Sequence, residues 1–68
     1  MNDLDEIVSA LRSAGDQLAD LAMSQLRQAI RAEPELQAVL RAAEKRLTRA
    51  RRSVEKAISL LEGRDSEV

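Results

Sequence analysis

The stretch PELQAVLRAAEKRLTRARRSVEKAISLLEG, residues 34–63, decides the fold. Its apolar side chains fall at Leu36, Leu40, Ala43, Leu47, Ala50, Val54, Ala57 and Leu61. The gaps alternate four and three along the whole run, which is the heptad of a helix that packs on another helix. The stretch also carries its own boundaries. Pro34 has no backbone donor and drives Glu33 out of the helical region, yet its fixed φ suits the first position of a new helix. Gly63 suits the left-handed residue that closes one. A helix is expected over about 34–62, after a turn at 33–34.

Upstream, a second apolar stripe runs Leu4, Val8, Leu11, Gly15, Leu18, Ala22, Leu26 and Ala29. Asp3 and Glu6 have the spacing of a capping box, and Asp5 and Glu6 suit the positive end of the helix dipole. A first helix is therefore expected over about 3–32. Two stripes joined at the lone proline predict an all-α fold: one domain over 1–68, an antiparallel two-helix hairpin with a coiled-coil-like seam, and a frayed tail at 64–68. Two other layouts use the same residues. The turn contains no glycine, so a kinked continuous helix is one. Ser13-Ala14-Gly15-Asp16 could break the first helix and give three helices. An unbroken first helix is preferred, because its stripe stays in phase through Gly15.

Pairing positions whose numbers sum to 65 sets Leu4 against Leu61, Val8 against Ala57, Leu11 against Val54, Gly15 against Ala50 and Leu18 against Leu47. Bulky and small layers then alternate along an Ala/Leu seam, and the small layers let the helices approach closely. The same register sets Asp20 against Lys45, Asp16 against Arg49, and Arg12 near Glu55.

One seam does not use every apolar side chain. Ile7, Leu21, Met23, Leu26 and Ile30 are left on the first helix, and Val39, Ile58 and Leu60 on the second. They predict a second burial surface, with Ile7, Leu21, Met23, Val39, Ile58 and Leu60 as its residues. Its occupant is either the chain itself, in a homodimer that forms a four-helix bundle, or a helical protein partner.

Composition narrows the chemistry. The 68 residues contain no Cys, His, Trp, Tyr or Phe. Disulfides, thiolate nucleophiles, the commonest metal ligand and a stacking platform for bases are all excluded. Carboxylates alone need a dry pocket to shift their pKa, and so short a chain has little room for one. The chain is expected to be no enzyme and to hold no metal or cofactor. A formal net charge of −1 opposes general nucleic-acid binding. No run of about 20 apolar residues is present to span a membrane. The acidic start is unlike a signal peptide, so the cytoplasm is the expected compartment. The densest charge lies at Arg41, Lys45, Arg46, Arg49, Arg51 and Arg52. Arg41, Lys45, Arg49 and Arg52 are spaced to share one side of a helix. That side is either a solvated surface or a contact for an anionic ligand or nucleic acid.

Two resemblances bear on function. Glu44, Thr48 and Arg51 resemble the Glu-x3-Ser-x2-Arg start of the ligand motif in cyclic-di-GMP-dependent anti-sigma hairpins of actinobacteria, and Asp20, Ser24 and Arg27 echo it. The family continues with Gln and Asp at intervals of four, where this chain has Glu55 and Ser59, or Arg31 and Glu35. Chain length, hairpin layout and the segment Val54-Glu55-Lys56-Ala57-Ile58-Ser59-Leu60-Leu61 look like the small co-chaperones of type III secretion needle subunits. That likeness implies a helical hairpin that binds a second chaperone, although the family's aromatic residues are absent here. The functional expectation is a non-enzymatic protein–protein interaction module: an adaptor, a co-chaperone or a self-assembling dimer.

Overall fold

The computed structural model describes residues 2–64. Two helices of equal length account for nearly all of them, α1 (Asp3–Ile30) and α2 (Pro34–Leu61), and they pack against each other as a hairpin. There is no strand among the described residues. The slab measures 48 × 28 × 11 Å, so it is two helices wide and one helix thick. α1 runs unbroken through Gly15 and the chain reverses before Pro34, which disposes of the three-helix and continuous-helix layouts.

The ends follow local chemistry with small corrections. Asn2, not Asp3, caps α1: its side-chain oxygen accepts the Leu4 N–H at 2.8 Å. Asp3 is instead the first helical residue, where with Asp5 and Glu6 it faces the positive end of the dipole. α1 stops at Ile30, and the Arg31 and Ala32 N–H groups close the last turn on the Gln28 and Ala29 carbonyls at 3.2 Å. Glu33 is extended (φ −62°, ψ 157°) and Pro34 opens α2, as the restriction on the residue before proline requires. The Gln37 side chain donates across the turn to the Ala29 carbonyl at 3.0 Å. This ties the first turn of α2 to the last turn of α1. Gly63 takes the left-handed conformation beyond α2, at φ 79°. Arg64 pairs with Glu62 at 2.7 Å, and the remainder of the expected frayed tail lies outside the described residues.

Four residues of α1 are buried, and they repeat every seven: Val8, Gly15, Ala22 and Ala29. Three of the four are small, so α1 presents a shallow channel to its partner. Large side chains from α2 fill it. A Cβ built on Gly15 would meet Val54 Cγ1 at 3.6 Å, whereas Ala50 is exposed. The expected Gly15–Ala50 layer is therefore wrong, and with it the register of small against small. Bulky over small fills more of the channel than small over small would.

The same preference turns α2. Its inward side takes in half-buried Glu44 and Arg51 and buried Ile58 beside Leu40, Leu47 and Val54, while Ala50 is left exposed and Ala43 and Ala57 are half-buried at the edge. One step around a helix is three or four residues, so the turn is about 50°. Ile58, expected on a partner surface, is only 6% exposed and belongs to the hairpin core. It lines the same groove as Arg12, Gly15 and Val54. The turn also moves the charges. Arg12 shares a groove with Glu55, but its ion pair is with Glu62 at 2.6 Å, and Glu55 pairs with Arg51 of its own helix at 3.6 Å. The expected Asp16–Arg49 and Asp20–Lys45 pairs do not form among the described residues.

Candidate interaction surface

A slab one helix thick has two broad sides, and the residues divide unequally between them. The first side is polar. Arg12, Asp16 and Ala19 of α1 face Arg51, Glu55 and Ile58 of α2 across one groove. The groove continues past Ala22 and Met23 to Glu44 and Thr48. It is crossed by the Arg12–Glu62 pair. Within it the Thr48 hydroxyl donates to Glu44 at 2.7 Å. Half-buried Arg51 lines it beside Ala19 and Ala22, whose small side chains leave room for its aliphatic stem.

The second side is apolar, and helical periodicity identifies it. On α1, the positions one step from the buried line and away from Arg12 are Leu4, Leu11 and Leu18. One step further out are Ile7, Ala14 and Leu21. The exposures follow this order: Leu11 and Leu18 are half-buried, and Ile7, Ala14 and Leu21 are exposed. On α2, Leu47 and Val54 are half-buried, and the next step outward holds Leu36, Ala43, Ala50 and Ala57. Leu36 is 52% exposed and Leu61 38%. Both arcs lean out of the seam by about 50°, to the same side. No charged residue interrupts either arc between Leu4 and Leu21 or between Leu36 and Leu61.

The sequence-expected surface residues thus fall in four places. Ile7 and Leu21 lie on the apolar side. Val39 and Leu60 are exposed on its outer rim along α2. Met23 is exposed too, but on the polar groove. Ile58 is inside. The sequence reading places the neighbouring Leu4, Leu11 and Leu18, together with Ala50, in the intrachain seam, and it gives Ala14 no surface at all. The signal that could have placed them is the breadth of the arcs. Leu4, Ile7, Leu11, Ala14, Leu18 and Leu21 alternate three and four, a second heptad beside the first.

The basic residues Arg41, Lys45, Arg49 and Arg52 are all exposed, and the last three border a depression with Glu44 and Thr48 on the outer surface of α2. Arg51, Glu44 and Thr48, the start of the motif that resembles the anti-sigma hairpins, are occupied within the hairpin by Glu55 and by one another. Their counterparts on α1 differ, with Ser24 accepting from Gln28 at 3.3 Å. Among the described residues no group of three or more Asp or Glu side chains is placed to hold a metal ion. No helix is long and apolar enough to cross a membrane. Compared with protein-family models, curated proteins and solved structures, the chain gives no match.

Proposed function

We propose that this chain is a non-enzymatic protein–protein interaction module that docks through the apolar side of its hairpin. The observation that carries the reading is the lean of both apolar arcs toward one side of a slab 11 Å thick. Domains bury their apolar stripes between at least two layers. This hairpin supplies one layer, and it leaves Leu11, Leu18 and Leu47 only half-covered. The chain exposes 5373 Å². A compact chain of 7.5 kDa exposes about 4,250 Å². A flat layer exposes more than a compact body of the same mass. Adaptors, co-chaperones and self-assembling dimers all work by covering such a side with another helical layer.

The test uses a tagged full-length chain added to extract of its native source and separated by size. The wild-type chain should run in a complex. Ala50→Glu should run as the lone hairpin with unchanged helicity, because the substitution puts a charge at the centre of the apolar side without touching the seam. A wild-type chain that runs as a lone hairpin, both in extract and when purified, overturns the reading. So does a complex indifferent to Ala50→Glu.

A further inference from the structure

We infer that the occupant of the apolar side is a second copy of this chain, set so that α1 of each copy lies over α2 of the other. The inference rests on the docking reading above and names its partner. Three observations carry it.

The first is geometric. In a four-helix bundle each helix must point its apolar arc at the bundle axis, midway between its two neighbours. That direction lies about 45° from the line joining a helix to its hairpin partner. The arcs of α1 and α2 lean out of the seam by about one helical step, 50°. A hairpin that buried its leucines wholly within its own seam would have no such lean. The heptad Leu36 to Leu61 is the most regular pattern in the chain, yet its centre, Ala50, is left exposed. An arc so regular and so turned is built for two neighbours, one in the hairpin and one above it.

The second is area. Each helix has 28 residues, so the helical part is about 42 Å long and two helix diameters span about 20 Å, inside the 48 × 28 Å extents of the chain. One side therefore offers about 800 Å² per chain, which matches one partner's share of a stable interface. A single helix from another protein would cover only a strip of it. A second two-helix layer covers all of it, and an identical layer has the same length.

The third is charge. α1 carries five acidic and two basic residues, net −3, and α2 carries three acidic and seven basic, net +4. A twofold axis parallel to the helices sets each acidic helix over the basic helix of the other copy, with all neighbours antiparallel. A twofold axis across the helices would stack α1 on α1 and α2 on α2, like charge on like. Complementarity of this kind selects orientation more than it adds affinity. The interface is isologous, so the layer closes as a dimer and does not propagate.

Sedimentation equilibrium on the purified full-length chain tests the partner. A species of twice the 7.5 kDa chain mass at micromolar concentration is expected, and Ala50→Glu should weaken it at least a hundredfold while leaving the helical circular dichroism intact. A purified chain that stays monomeric and folded overturns the inference. If that chain still enters an Ala50→Glu-sensitive complex in extract, the docking reading survives and only the second copy is refuted. Orientation is read separately, and the absence of native cysteine makes this clean. Ala14→Cys mixed with Ala50→Cys should give a disulfide-linked heterodimer on mild oxidation, and neither variant alone should cross-link efficiently. Efficient self-linking of Ala14→Cys, with no mixed product, overturns the proposed orientation.

Discussion

Gly15→Ala should stabilise this protein. A mid-helix glycine ordinarily costs about 1 kcal/mol relative to alanine, through backbone entropy in the unfolded chain. Such a glycine is retained where a Cβ would collide with a neighbour, and its burial against α2 invites that explanation. The surroundings of Gly15 say otherwise. The nearest heavy atom to an added Cβ is Val54 Cγ1 at 3.6 Å, an ordinary van der Waals separation, and Gly15 lies within a regular helix. The methyl therefore gains a contact and removes the entropic penalty with no strain. The expected gain is about 1 kcal/mol, which in a domain this small raises Tm by roughly 4–8 °C. Thermal unfolding followed at 222 nm reads it, at two protein concentrations so that any change in self-association is separated from a change within the hairpin. A lower Tm for Gly15→Ala at both concentrations would refute the bulky-over-small register, since it would mean that the backbones meet more closely at Gly15 than Val54 allows. Gly15→Leu is the control, because it fills the space Val54 already occupies, and it should destabilise.

Other substitutions probe separate parts of the argument. Ile58→Ala removes one of the two buried side chains of α2 and should cost about 2–5 kcal/mol by chemical denaturation, enough to unfold so small a domain. Leu60→Ala, two residues away on the exposed rim, should change the stability of the lone hairpin by no more than about 0.5 kcal/mol, and equal effects at the two positions would contradict the turn assigned to α2. Asn2→Ala removes the side-chain cap on the Leu4 N–H and should cost about 1 kcal/mol, whereas Asp3→Asn should cost less. A double-mutant cycle on Arg12 and Glu62 should give a coupling below about 1 kcal/mol, because both side chains keep substantial solvent contact; a larger value would mean the pair is buried by something absent from the hairpin.

Much of the fold was legible because it rests on local chemistry. Pro34 marks its own helix start, Glu33 is extended because proline follows it, and Gly63 closes α2, and none of these depends on what is packed nearby. The seven-residue repeat of Val8, Gly15, Ala22 and Ala29 likewise follows from periodicity alone. The rotation of α2 was not legible. Two heptad lines, one through Ala50 and one through Arg51, flank the line through Leu47 and Val54 on opposite sides, about 100° apart, and apolarity favours the first. The choice between them depends on how side-chain volume fits across the seam. A channel of glycine and alanine accepts the stems of large residues, and a half-buried arginine with its charge at the edge satisfies that as well as a hydrocarbon does. The ion pairs were missed for the same reason, since a turn of about 50° carries every long side chain to a new neighbour. The candidate surface was half legible: Ile7 and Leu21 could be found as surplus, but Ala14 and Ala50 became visible as its centre only once the seam had been located elsewhere.

The reversal at Pro34 has a topological consequence. Because the chain turns back after 28 residues of helix and descends for 28 more, the polypeptide enters and leaves at one tip, and the opposite tip carries only the bend. A unit with adjoining entry and exit points can be spliced into a surface loop of an unrelated host without prising that loop apart. Grafted so, it would stand off the host like a bracket about 40 Å tall, and reporters placed at the bend would sit as far from the host as the molecule permits.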